Sequence, residues 1–166
     1  MIGNDVVDLA QTRIDSKWQR SGFIDKLFTD AEQKLIKSHH DSEIMIWLLW
    51  SMKEAAYKIY NQQTKIREYA PKKISCSINI VNSNNAEGYV EYDKNKYYTK
   101  TIITPEYIHT VAVKAPGDFY NIIEIEKKGI VKDENGIPYI KSSNLNKKNN
   151  VSVSHHGRFE HVVAIV

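Results

Sequence analysis

The chain has 166 residues, 42% of them hydrophobic and 26% charged, with a formal net charge of +3, which fits one globular unit or two small halves packed together. So mild a positive charge gives no footing for nucleic acid, although it favours an acidic or phosphorylated partner through steering. The single cysteine, Cys76, excludes an internal disulfide, and no apolar stretch reaches the roughly 18 residues of a membrane span.

Residues 1–9 form a β-branched run that predicts a strand ending in a turn. Asp5 and Asp8 interrupt its apolar residues, unlike a signal peptide, so the expected compartment is the cytoplasm. Residues 12–21 suit a helix or a loop. Thr29 then predicts an N-cap, with Glu32 three residues on completing a capping box and Phe28 at the staple position, so a helix runs to about Ser38. Residues 42–61 carry the strongest helical periodicity, with Ile44, Trp47, Leu48, Ala55 and Ile59 at helical spacing.

From Lys73 the period changes to two. Ile74, Cys76, Ile78 and Ile80 alternate with polar residues, and similar runs over 88–92, 97–104 and 107–114 predict an antiparallel meander. In this alternation Cys76 reads as a buried structural thiol. Ala115-Pro116-Gly117-Asp118 marks a boundary. Beyond it the pattern predicts short strands at 121–126 and 137–140 around the turn Asp133-Glu134-Asn135-Gly136. A polar loop follows over 141–150, and then a final strand pair at 151–154 and 161–166 joined around His156-Gly157-Arg158. The expected organisation is a core over 1–115 and a strand-rich extension over 116–166, the latter packed on the core or on a neighbouring chain.

Three constellations have the chemistry for a site, and each also has a purely structural explanation. Asp5 and Asp8 are spaced i, i+3; in a strand they face opposite sides, so both serve one metal only if the strand ends between them. Capping aspartates at a strand end explain the segment equally well. Trp50, Glu54 and Lys58 fall on one helical face, where Glu54 and Lys58 form either a surface pair or a hard oxygen ligand with a point charge beside it. Ser152-Val153-Ser154-His155-His156-Gly157-Arg158 is a polar strand end that can bind phosphate or simply face water.

Taken together, Gly3-Asn4-Asp5-Val6-Val7-Asp8-Leu9, Phe28-Thr29-Asp30-Ala31-Glu32 and Trp50-Ser51-Met52-Lys53-Glu54-Ala55-Ala56-Tyr57-Lys58 resemble, in order and separation, the signature of the 4′-phosphopantetheinyl transferase superfamily. Ser152-Val153-Ser154-His155 is similar to the family's Ser-x-Ser-His strand. The resemblance implies an α+β fold, two main helices packed on an antiparallel sheet. It implies an enzyme that moves the 4′-phosphopantetheine arm of coenzyme A onto a serine of an apo acyl or peptidyl carrier protein. Asp5 and Glu54 would hold Mg²⁺, with Mn²⁺ also suited to the oxygen ligands. Glu54, Lys58 and Asp8 would be catalytic, and Lys53, Lys58, Ser154, His155 and Arg158 would contact the coenzyme. Glu32 matches an acidic position.

Two departures stand out. The acidic third ligand of the surfactin-type subfamily is Val7 here, while Asp8 matches the shorter acyl-carrier-protein-synthase type. The Ser-x-Ser-His strand comes last in the chain, so residues 116–166 complete the site on the same chain or on a neighbouring one, and a homo-oligomer is expected. The alternative reading is a non-catalytic binder of coenzyme A or carrier protein on the same fold.

Overall fold

The protein is described by a computed structural model covering residues 1–141 and 148–166. The N-terminal strand β1 (Ile2–Asp8) leads into four helices, α1 (Leu9–Asp15), α2 (Phe23–Leu27), α3 (Asp30–Ser38) and α4 (Ser42–Thr64). The meander follows as β2 (Ser75–Val81), β3 (Asn85–Tyr92), β4 (Asn95–Ile103) and β5 (Tyr107–Val113). Short β6 (Ile122–Glu124), β7 (Ile130–Lys132) and β8 (Pro138–Lys141) precede the long pair β9 (Lys148–His156) and β10 (Phe159–Ile165). The fold is α+β, with two antiparallel five-stranded sheets ordered β1-β5-β4-β3-β2 and β6-β10-β9-β8-β7.

Local chemistry sets the helix ends. The Thr29 hydroxyl accepts the Glu32 N–H while the Glu32 carboxylate accepts the Thr29 N–H, the reciprocal capping box expected at α3. Asp41 caps α4 through the Ile44 N–H, and Lys65 ends it in the left-handed region at φ 62°. Twenty-three residues make this helix about 34 Å long. It is the core of the molecule: Ile46, Leu48, Leu49, Ala55 and Ile59 are fully buried against the inner face of the first sheet. On β3 and β4 the inward positions Ala86, Val90, Tyr97 and Ile103 alternate with exposed Glu87, Glu91, Lys96 and Lys100, which is the two-residue period of the sequence.

The second sheet packs through β9 and β10 against β1, which is held from the other side by α4. The ambiguous stretch 12–21 resolves into the end of α1 and a turn, because Asp8 caps a helix that starts at Leu9. Helix α2 and strand β7 escape the sequence pattern, being only five and three residues long. Of the polar stretch predicted as a loop over 141–150, residues 142–147 lie outside the described residues. Its ends are strand, with Asn149 and Asn150 pairing with Ile140 and Tyr139. No described helix is long and apolar enough to cross a membrane.

Candidate active site

Strand β1 can lie directly on α4 only because Gly3 has no side chain: a Cβ there would sit 1.9 Å from the Ala55 carbonyl oxygen. That close approach brings Asp5 to the Glu54–Lys58 face of the helix. Every other residue of β1 is buried, and Asp5 is its one partly open position. Asp5 and Glu54 line a cleft of about 300 Å³ together with Trp47, Trp50, His155 and His156.

The two carboxylates carry more negative charge than their surroundings balance. Burial pushes the Asp5 carboxyl up to about 7; Lys58 pulls it down and the Glu54 charge raises it further. Burial likewise raises Glu54, opposed by Tyr69 and Lys58. Lys58 Nζ stands 3.5 Å from Asp5 Oδ1 and donates to the carbonyls of Asn4 at 2.5 Å and Val153 at 3.3 Å. It therefore ties α4 to both β1 and β9. Two partly desolvated carboxylates on one cleft, with Lys58 beside Asp5, are oxygen donors of the kind that would fit a small hard cation. Val7, at the surfactin-type position for a third acid, is packed in the hydrophobic core.

Lys58 and His155 also border a second groove of about 600 Å³ between α4 and the β7–β8 hairpin. Lys127 and Lys132 add two more cations to it, and Tyr57, Ile137 and Pro138 give it an apolar wall. Sequence reading missed Lys127 and Lys132. Both are exposed lysines that look solvated in sequence; the fold sets them along this groove, where Lys127 is also paired with Glu160.

Other expected site residues make their contacts elsewhere in the fold. Lys53 is fully buried rather than on the coenzyme side. Its ammonium is 2.7 Å from Glu32 Oε2 and donates to the carbonyls of Leu27, Pro71 and Ile74, so no proton is left for a ligand. Glu32 accepts the Cys76 N–H with its second oxygen. Asp8 is saturated too. Its carboxylate caps α1 through Ala10 and Gln11 and takes two guanidinium N–H groups and the backbone N–H of Arg158. The Arg158 contacts hold this carboxyl well below the usual carboxylate range. Arg158 spends its remaining arm on Glu106. The Ser154 hydroxyl is buried and accepts from Asn4 Nδ2, as Ser152 does from the Asn4 N–H.

Two side chains beside the cleft carried no signal of their own. The Asp8 N–H donates to His156 Nδ1, which leaves that nitrogen bare and sets the ring's orientation in the cleft wall. Trp47 lies seven residues before Glu54, two helical turns away on the same face.

A family model for the 4′-phosphopantetheinyl transferase superfamily matches residues 1–112 of the 166. The chain belongs to the 4′-phosphopantetheinyl transferase superfamily. No curated protein matches it. Asp5, Glu54 and Lys58 lie inside the stretch matched by the transferase family. Lys127, Lys132 and His155 lie beyond it. As phosphopantetheinyl transferases, members of the superfamily use coenzyme A and act on carrier proteins.

Proposed function

We propose that this transferase moves the 4′-phosphopantetheine arm from coenzyme A to a serine of an apo acyl or peptidyl carrier protein, with Mg²⁺ held by Asp5 and Glu54. The observation that carries the reading is the convergence of those two half-buried carboxylates and Lys58 between an acidic, tryptophan-lined cleft and a lysine-lined groove. Opposite charge assigns the ends of the substrate. The nucleotide, with its extra 3′-phosphate, lies along Lys127, Lys132 and His155, and the arm and the incoming serine lie on the Trp47–Trp50 side.

The serine Oγ forms a bond to the β-phosphorus as the bridging P–O bond breaks, and 3′,5′-adenosine diphosphate leaves. When bound, the metal ion supplies Lewis-acid stabilisation of the charge that develops on the diphosphate oxygens. Lys58 places its fixed positive charge beside the same oxygens, where the low dielectric of a partly closed site strengthens it. The proton that the serine gives up passes to water in the open cleft, since Glu54 is engaged as a ligand.

The test is intact-mass spectrometry of a panel of apo carrier proteins incubated with the protein, coenzyme A and Mg²⁺. The expected result is a gain of one phosphopantetheine arm, abolished by a chelator and by Glu54→Gln with the fold retained. Coenzyme A binding without any transfer would make the protein a binding module instead.

A further inference from the structure

Tyr69 lies in the connection from α4 to β2, which crosses back over the helix. Its ring meets Trp50 at 5.8 Å and Tyr57 at 4.9 Å, both edge-on, with interplanar angles of 82° and 70°. Trp50 stands one turn before Glu54 and Tyr57 nearly one turn after it, so a ring touching both lies across Glu54. The Tyr69 hydroxyl is buried and has no hydrogen-bond partner at full geometry among the described residues. The connection cannot readily turn the ring outward. Lys53 holds the Pro71 carbonyl at 2.7 Å, Asn61 holds that of Ile66 at 2.8 Å, and Arg67 donates to the Asn135 carbonyl.

We propose that Tyr69 is a positioning residue whose hydroxyl donates to one oxygen of Glu54 and thereby fixes the other as the oxygen offered to the metal. This inference rests on the reading of Glu54 as a metal ligand. A phenol is suited to the task. It donates one proton without carrying a charge, so it orients the carboxylate without competing with the cation. Outer-shell donors of this kind are worth about 10–100-fold in metal affinity. With its hydroxyl buried and its ring wedged between two others, Tyr69 is fixed before the ligand arrives.

The experiment titrates Mn²⁺ into wild-type protein and Tyr69→Phe, each saturated with coenzyme A, and follows free Mn²⁺ by electron paramagnetic resonance. Phenylalanine keeps both edge-on ring contacts, so the thermal midpoint and the metal-free affinity for coenzyme A are expected to stay at wild-type values. The Mn²⁺ Kd is expected to rise about tenfold. Equal Mn²⁺ affinity in the two proteins would overturn the role of Tyr69 alone. A loss of Mn²⁺ affinity matched by an equal loss of metal-free coenzyme A affinity would also overturn it, because the change would then be general. Wild-type protein that takes up no Mn²⁺ would refute the metal reading of Asp5 and Glu54 and this inference with it.

Discussion

Replacing Lys53 with methionine keeps most of the side chain's volume and removes only its charge and its protons. In the native protein that ammonium lies at zero exposure, 2.7 Å from Glu32, with three carbonyls also accepting from it. Removal leaves the Glu32 carboxylate buried with two backbone N–H groups as its only named partners, and three carbonyls lose a donor. Breaking a buried pair from one side costs about 3–5 kcal/mol. For a chain of this size each kcal/mol moves the midpoint by about 2–4 °C, so Lys53→Met is expected to lower Tm by about 12 °C. Adding Glu32→Gln removes the stranded charge, so the double variant should unfold above the sum of the two single losses. Differential scanning calorimetry of the four proteins measures the cycle. Coenzyme A affinity of Lys53→Met, measured below its unfolding transition, should match wild type. A Tm within about 2 °C of wild type would refute the structural role, and a coenzyme defect in fully folded protein would return Lys53 to the binding site.

Two further outcomes follow from charges elsewhere. The folded Asp8 carboxyl is held below its unfolded value of 3.8, so its pairing with Arg158 stabilises the protein above about pH 4, and that stability is lost as pH falls toward the folded value. Arg158→Gln should therefore lower Tm at pH 7, with a gap from wild type that closes in acid; a gap of constant size between pH 7 and pH 3 would disprove the pairing. Lys132→Gln is expected to raise the KM for coenzyme A about fivefold with little change in kcat, as for an exposed charge worth about 1 kcal/mol, and added salt should narrow the difference. An unchanged KM would remove this lysine from the nucleotide groove.

The sequence carried those parts of the structure that are local. A capping box spans three residues and a helical or alternating period spans ten, so α3, α4 and the meander could be read directly. The convergence of Asp5 with Glu54 could be read only through motif order, since no local rule brings residues 5 and 54 together; what permits it is the missing side chain at Gly3. Lys53 shows the opposite case. It sits beside Glu54 in a motif, and nothing near it in sequence shows that Glu32, twenty-one residues earlier, encloses it. Asp8 and Arg158 are each legible as candidate ligands until the chain ends meet, because each is then the other's partner across 150 residues. The lysine groove has the same origin. Lys127 and Lys132 come to line one groove with Lys58 only once the chain beyond residue 112 is folded.

The segment beyond the family match is built into the site through β1. The Asn4 N–H and side-chain amide are bound to Ser152 and Ser154 of β9, and the Asn4 carbonyl is bound to Lys58. Lys58 also reaches the Val153 carbonyl on β9. Four residues on, Asp8 is clamped by Arg158, and Gly157 makes the approach possible: its φ of +54° suits glycine, and a Cβ there would lie 2.5 Å from Asp8 Oδ2. Asp5 stands between these two anchored positions, with α4 behind it. A carboxylate that must hold its place against burial and a neighbouring like charge needs such a frame; residues 1–112 supply the β5 pairing along the strand and the α4 side, and β9 and β10 supply the other side. The second sheet therefore holds, through β9 and β10, the strand that carries Asp5.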